Sequence, residues 1–254
     1  LGDVYKRQAV MCAIDRTGNI ISELICNGRI KMKTINIAID GPAGAGKSTI
    51  AKLAAKELGY IYVDTGALYR TTALYMHENG LTETADIIAA LDKCDVKLKY
   101  TDGQQRVFLG GRDVSEEIRK PEVSMAASRV SAIPQVREHL FNLQKKMAEE
   151  NNVIMDGRDI GTVVLPNADV KIFLTATAEE RANRRYKELS EKPNCPCYEE
   201  ILSDIKERDK NDMNRPVAPL KQADDAVLVD STHLTLQQSA DKIRDIILEK
   251  TGER

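Results

Sequence analysis

The stretch INIAIDGPAGAGKST, residues Ile35–Thr49, decides the fold of this chain. It opens with an apolar run, INIAID, whose length and composition are typical of a buried strand. The run leads directly into Gly41–Ser48, which matches the pattern G-x-x-x-x-G-K-[ST] at every fixed position. A helical pattern follows Lys47, with apolar residues recurring on one face and Gly59 as its stop. A strand, a glycine-rich loop and a helix in this order predict a cradle for the phosphates of a nucleoside triphosphate.

The residue types in this loop suit phosphate chemistry. Glycines allow backbone N–H groups to converge on phosphate oxygens, and the amino terminus of the helix adds partial positive charge. Lys47 can reach the β- and γ-phosphates, and the Ser48 hydroxyl suits Mg²⁺. A dinucleotide-binding loop fits less well, because its third glycine would fall at Thr49. We therefore expect a nucleoside-triphosphate site formed by Gly41, Pro42, Ala43, Gly44, Ala45, Gly46, Lys47, Ser48 and Thr49, with Ser48 as the metal ligand.

The rest of the chain alternates short apolar runs with helical patterns. Four runs resemble buried strands: Tyr60–Thr65, Val153–Asp156, Val170–Leu174 and Ala226–Asp230. One helix opens at Thr177, where Glu180 completes a capping box, and the last runs from about Thr235 to Glu249. Strands that alternate with helices predict an α/β fold with a parallel five-stranded sheet covered on both faces.

One interval breaks this alternation. The runs VKLKY (Val96–Tyr100) and RVFLG (Arg106–Gly110) flank TDGQQ, and this pattern predicts an antiparallel hairpin with Asp102-Gly103 in its loop. We interpret residues 80–131 as an α+β insertion carried by the α/β core.

Composition excludes several classes of protein. With 42% hydrophobic and 30% charged residues, most of the chain is not disordered. The formal net charge of −2 gives no global indication of nucleic-acid or membrane binding, and no apolar run is long enough to span a bilayer. Five scattered cysteines favour a reducing compartment, so we expect a cytoplasmic protein.

Residues 1–31 show no clear periodicity, and Met32 stands just before the first strand, where a native start would be expected. We expect residues 1–31 to be a non-native or disordered extension, namely upstream sequence translated with the protein. A genuine short extension is the alternative.

Arginine placement narrows the function. Arg70 and Arg158 lie just beyond the ends of two predicted strands, which is where parallel-sheet proteins bind ligands. Arg181, Arg184 and Arg185 share one helical face, although a solvated face paired with glutamates is equally open on spacing alone. Further arginines, Arg208 and Arg215, flank Asp212. Arginines from four segments around a triphosphate site predict a second phosphorylated ligand, and hence phosphoryl transfer between nucleotides. A GTPase is disfavoured because the chain has no N-K-x-D motif.

These segments also carry a family resemblance. The chain resembles bacterial cytidylate kinases from Lys33 to about Leu248, and the blocks that carry the resemblance are GPAGAGKST (Gly41–Thr49), DTGALYR (Asp64–Arg70), DVSEEIR (Asp113–Arg119), MDGRDIGTVVLPNADVKIFL (Met155–Leu174) and IKERDKNDMNRPVAPL (Ile205–Leu220). The blocks beginning DGRD and ERD are far more specific than the phosphate loop. The resemblance implies an adenylate-kinase-like P-loop core, with the insertion as a monophosphate-binding domain and a short lid at about residues 186–198.

The resemblance also implies a reaction and roles. It implies transfer of the γ-phosphoryl of ATP to CMP or dCMP with Mg²⁺, by a monomer that needs no nucleic acid or membrane. The catalytic residues would be Lys47, Arg158, Arg208, Arg181 and Arg185. The substrate would be bound by Thr65, Arg70, Ser128, Arg137, Arg158, Asp159, Arg208, Asp212 and Arg215, with Asp159, Arg137 and Ser128 reading the cytosine edge.

Alternatives remain for single residues and for the whole chain. Asp159 is also suited to capping the turn that follows it, and Arg137 to a surface pair with Glu138 or Glu149. Another small-molecule P-loop kinase, such as an adenylate or uridylate kinase, is the nearest rival function. A switch or binding module that hydrolyses ATP without an acceptor is the rival from a different class.

Overall fold

The core is one parallel sheet, seen in a computed structural model that describes residues 34–101, 104–191 and 195–252. Its strands stand in the order β2–β6–β1–β7–β8, and every neighbouring pair is parallel. They are β1 (Asn36–Asp40), β2 (Ile61–Asp64), β6 (Val153–Gly157), β7 (Val170–Thr175) and β8 (Val227–Asp230). These are the five strands that the sequence predicts, each within one or two residues of its predicted bounds, and the α/β fold is confirmed.

Helices cover both faces of this sheet, because the central strand presents apolar side chains alternately to one face and to the other. Ile37 and Ile39 of β1 belong to one buried cluster, whereas Ala38 between them belongs to another. The first cluster is closed by α1 (Lys47–Leu58) and α8 (Leu236–Thr251), and the second by α5 (Pro134–Glu150) and a π-helical turn, Ile160–Val164. The remaining core helices are α2 (Thr65–Glu78), α6 (Ala178–Leu189) and α7 (Tyr198–Asn214).

A second, smaller sheet follows α2. Its strands are β3 (Val96–Thr101), β4 (Gln104–Leu109) and β5 (Arg112–Asp113). In the chain, α3 (Thr84–Ala90) precedes these strands and α4 (Pro121–Val130) follows them. The three strands are antiparallel, and β3 and β4 pack with α2, α4 and α5 into a separate hydrophobic cluster. The sequence predicts the first two strands but not β5, which is only two residues long and follows the left-handed turn at Gly110 and Gly111.

The helix ends agree with the sequence patterns with one difference. Gly59 ends α1 in the left-handed conformation, as predicted. At the start of α6, Thr177 accepts a hydrogen bond from the N–H of Glu180, but the Glu180 carboxylate accepts from Arg184 instead of completing the capping box. A complete box is present at the start of α8, where Thr235 and Gln238 cap each other.

Two predictions lie outside the described residues: the extension at 1–31 and the hairpin loop at Asp102-Gly103. Among the described residues, no helix combines the length and apolar character needed to cross a bilayer.

Candidate functional site

A cleft of about 530 Å³ opens at the carboxyl ends of β1, β2 and β6. It is lined by the phosphate loop, by the starts of α1 and α2, and by side chains from α4, α5, α6 and α7. It brings together most of the predicted site residues: Ala43, Gly44, Ala45, Gly46, Lys47, Ser48, Thr49, Thr65, Arg70, Ser128, Arg137, Arg158, Asp159, Arg208, Asp212 and Arg215.

The phosphate loop is shaped by glycines that no other residue can replace without strain. Gly41 has φ 148°, and a Cβ at this position would lie 1.9 Å from the carbonyl oxygen of Leu174. Gly46 has φ 88° and forms the N-cap of α1. The start of α1 lines the cleft, and the N–H groups at a helix amino terminus are suited to anion binding.

Lys47 is buried in the loop. Its Nζ donates to the carbonyl oxygen of Pro42 at 2.7 Å, and its side chain is almost inaccessible to solvent. Burial lowers the pKa of Lys47 well below its usual value, and the nearby Arg158 lowers it further. A phosphate group next to this ammonium would offset both effects, so the loop is electrostatically suited to an anion.

Ser48 and Asp156 form a pair of hard oxygen donors. The Ser48 hydroxyl donates to Asp156 Oδ2 at 2.7 Å, and the Tyr62 hydroxyl donates to Oδ1 of the same carboxylate at 3.0 Å. Burial raises the pKa of Asp156, and repulsion from Asp64 raises it further. A divalent cation here would favour the charged carboxylate, and the hydroxyl and carboxylate oxygens are ligands that Mg²⁺ accepts. The residues present therefore fit Mg²⁺.

Arg70 and Arg208 offer unused donors. Arg70 pairs with Asp64 at 2.8 Å, yet its Nε and the Nε of Arg208 are buried and have no hydrogen-bond partner within the described residues. Burial lowers the pKa of Arg208, and the charge of Arg158 lowers it further. Buried donors without partners are costly unless a ligand completes them, so both side chains are suited to phosphate oxygens.

Asp159 lies between two arginines. Its Oδ2 accepts from Arg137 and its Oδ1 accepts from Arg215 at 3.1 Å, and all three side chains are buried. Burial raises the pKa of Asp159, while Arg137 and then Arg215 oppose that rise. The surface pairing considered for Arg137 is wrong, because α5 places it in the interior, where its guanidinium also lies 5.5 Å from the Tyr69 ring centre. Asp159 makes no capping hydrogen bond to the turn that follows it.

Two of the remaining residues predicted to bind the substrate form hydrogen bonds with α7 and with the main sheet. Arg158 Nε donates to Asp212 at 2.8 Å, so that the loop after β6 is joined to α7. The Thr65 hydroxyl donates to the backbone carbonyl of Asp156 at 2.8 Å, and Ser128 lines the opposite wall from α4.

Four predicted residues do not line the cleft. Gly41 and Pro42 lie at the base of the loop. Arg181 is buried beside it, donating to the carbonyl of Ala43 and forming two hydrogen bonds with Asp209. Arg185 is exposed and pairs with Glu188. The arginine of α6 that lines the cleft is Arg184.

Sequence reasoning missed several lining residues. Asp64 accepts a hydrogen bond from Arg70, and the Tyr69 ring centre lies 5.5 Å from the Arg137 guanidinium; both residues belong to the DTGALYR block. Leu234 and Leu236 form an apolar wall just beyond β8, and Ser239 lines the cleft beside them. Their position just past the carboxyl end of a predicted parallel strand is the feature of the sequence that indicates a place at the site.

Comparison with known proteins agrees with this geometry. The family described as cytidylate kinase matches residues 37–249. A cytidylate kinase of Caldicellulosiruptor bescii is 54% identical over 85% of this chain and 96% of its own length. One from Carboxydothermus hydrogenoformans is 48% identical over 85% of this chain and 98% of its own length. The resemblance read from the sequence is confirmed, and the chain belongs to the cytidylate kinase family.

Proposed function

We propose that this chain transfers the γ-phosphoryl group of ATP to CMP or dCMP, giving ADP and CDP or dCDP. The observation that carries the proposal is a single cleft that holds both a phosphate loop and the buried Arg137–Asp159–Arg215 cluster. The loop provides for a triphosphate donor, and the cluster provides a polar pocket on the facing wall for an acceptor. Phosphoryl transfer requires the alignment of these two ligands more than covalent chemistry by the protein.

The donor is held by the loop. Backbone N–H groups at the start of α1 bind the phosphates, and Lys47 carries the charge that meets the transferred group. Ser48 would hold Mg²⁺ directly, with Asp156 beside it. When bound, the metal neutralises phosphate charge. The apolar wall of Leu234 and Leu236 suits the base of the donor.

The acceptor phosphate is bound from the other side. Arg70, which pairs with Asp64, and Arg208 of α7 both line the cleft, and the buried Nε of each, without a partner among the described residues, would donate to the acceptor phosphate. Arg158, held by Asp212, lies near both Lys47 and Arg208, and its charge lowers the pKa of each of them. These cations would surround the group in transfer and stabilise its charge.

Asp159 would select the base. Cytosine presents a 4-amino donor where uracil presents an oxygen, and a carboxylate accepts from the first but repels the second. Arg137 and Arg215 hold this carboxylate, and Ser128 and Thr65 stand nearby in the cleft. Rejection of uracil follows because it would leave a buried acceptor facing another acceptor.

Segments around the cleft would close it. The insertion at about residues 80–131 would act as the monophosphate-binding domain, and residues 186–198 as the lid that excludes water. Arg181 and Arg185 lie on α6, which leads into that lid, and closure would bring Arg185 toward the phosphates. We further propose a cytoplasmic monomer that requires no nucleic acid or membrane.

The test is an acceptor panel. ADP release is measured with AMP, UMP, CMP and dCMP at equal concentrations, with ATP and Mg²⁺ present. CMP and dCMP should give far higher kcat/KM than UMP or AMP. Preference for AMP or UMP would favour another nucleotide kinase, and ATP hydrolysis that no acceptor stimulates would refute the transferase.

A further inference from the structure

Two side chains of the β3–β4 hairpin contact the outer edge of the main sheet. The Asp64 N–H donates to Gln105 Oε1 at 2.9 Å, and Gln105 Nε2 donates back to the Asp64 carbonyl at 3.5 Å. The Tyr100 hydroxyl donates to the Tyr62 carbonyl at 2.9 Å. Tyr100 and Gln105 are direct cross-strand partners in the hairpin, so they form one unit.

The groups they contact belong to an edge strand. In the described residues β2 pairs only with β6, so alternate residues direct their backbone N–H and C=O groups outward. Tyr62 and Asp64 are two residues apart and therefore face the same side. The Gln105 amide satisfies the outward groups of Asp64 much as a neighbouring strand would. The hairpin thus completes the edge of β2 with side chains instead of backbone.

The same two β2 residues orient both halves of the cleft. The Tyr62 side chain donates to Asp156 Oδ1, next to the Ser48 donor. The Asp64 side chain accepts from Arg70 at 2.8 Å and from the N–H of Ala67 at 2.9 Å. Tyr62 therefore contacts a proposed metal-binding residue, and Asp64 contacts a residue proposed to bind the acceptor phosphate.

We propose that Gln105 and Tyr100 are positioning residues that couple the inserted hairpin to both phosphate sites through β2. Neither side chain lines the cleft, so their action is indirect: Gln105 acts through Asp64 on Arg70, and Tyr100 acts through Tyr62 on Asp156. The inference rests on the proposed function, because its measurable effects are on CMP and Mg²⁺ dependence.

The hairpin has its own anchor, so variants at these positions can be tested in a folded protein. Val107 and Leu109 of β4 are buried in the cluster formed with α2 and α4, independently of Gln105. The Tyr100 ring is partly exposed, and replacing it with phenylalanine removes one hydroxyl only.

The experiment compares Gln105→Ala and Tyr100→Phe with two controls. Lys97→Ala changes an exposed side chain of the same hairpin that pairs with Asp95. Tyr75→Phe removes a hydroxyl from a residue that packs against the insertion and does not line the cleft. Gln105→Ala removes both hydrogen bonds to Asp64 and should raise KM for CMP by about two- to tenfold, a change equal in size to one neutral hydrogen bond, with a smaller change in KM for ATP. Tyr100→Phe should raise by a similar factor the Mg²⁺ concentration that gives half the maximal rate, and also the concentration that gives half the maximal rise in melting temperature with ATP present.

Double variants separate positioning from support of the fold. Gln105→Ala should have no further effect on KM for CMP in an Arg70→Ala background, and Tyr100→Phe no further effect on Mg²⁺ dependence in a Tyr62→Phe background. Effects that simply add in both backgrounds, or a lower melting temperature with unchanged KM and Mg²⁺ dependence, would overturn the proposal. Failure of the unchanged protein to phosphorylate CMP would instead refute the proposed function.

Discussion

Replacing Asp159 with asparagine tests the base-reading cluster most directly. The change keeps the size of the side chain and removes its charge. In the native protein this carboxylate is buried and accepts from Arg137 and Arg215, one on each oxygen. A carboxylate offers about four acceptor positions, so two remain for a ligand. Asparagine retains one oxygen and presents an amide N–H₂ where the other was.

Two effects of different size follow. Stability should fall by about 3–5 kcal/mol, because two buried guanidinium groups lose the charge that compensates them. Selectivity should fall as well, since a hydrogen bond to a charged group contributes about 1.5–3 kcal/mol. That range corresponds to a decrease of roughly 10- to 150-fold in the ratio of kcat/KM for CMP to that for UMP. The new amide can also donate to the uracil oxygen, which reduces the ratio further.

Both effects can be measured on one preparation. The chain contains no tryptophan, so urea unfolding is followed by circular dichroism. The acceptor ratio is measured by ADP release with CMP and UMP. Asp224→Asn is the matched control, because Asp224 is exposed and does not line the cleft. A CMP/UMP ratio equal to that of the native protein would refute base reading by Asp159, whatever the change in stability.

Three other changes test the loop and the sheet beneath it. Lys47→Ala should lower kcat by about 10²–10³-fold, by analogy with the loss of one transition-state donor. The control is Lys56→Ala, which changes an exposed side chain on the same helix and should leave kcat unchanged. Near-native turnover of Lys47→Ala would exclude the role of Lys47. Gly41→Ala should abolish folding or turnover, because its Cβ would meet a backbone carbonyl at 1.9 Å, while Gly59→Ala, which has open space, should cost only about 1 kcal/mol in urea unfolding. Burial raises the pKa of Asp40 to about 6, so protonation favours the folded state. Relative to Asp40→Asn, the native protein should therefore lose up to about 3 kcal/mol of stability between pH 4 and pH 7; a constant difference in urea unfolding across that range would contradict this assignment.

Local patterns predict the sheet well because its central strands, β1, β6 and β7, are largely buried on both faces. A run such as Val170–Leu174 has no polar alternation, and only a strand between two helical layers tolerates that composition at this length. The phosphate loop was equally clear, because its glycines satisfy a backbone requirement that lies within the motif itself. Strand β5 has neither signal. Two residues cannot establish a period, and its pairing depends on β4.

Side-chain direction could not be predicted from spacing. Arg181, Arg184 and Arg185 share a helical face, but only the packing of α6 against α7 decides that Arg181 turns inward to Asp209 while Arg184 reaches the cleft. Arg137 shows the same difficulty. It is followed on α5 by Glu138, which suits a surface pair, whereas in the fold its partner is Asp159 in the loop after β6. Without the family resemblance, the residues alone favoured the surface pairing.

The charge of the cleft differs in sign from the charge of the chain. Among the residues that the structure describes, seven cationic side chains line it against five carboxylates, although the whole chain carries a formal charge of −2. The excess positive potential attracts nucleotides from solution, and it also attracts sulfate and inorganic phosphate. Because mobile ions screen this attraction within about 10 Å at 0.1 M salt, KM for both nucleotides should rise with ionic strength. Affinities measured in phosphate buffer would therefore reflect competition for the same guanidinium groups, and a chloride buffer of low ionic strength reports the nucleotides alone.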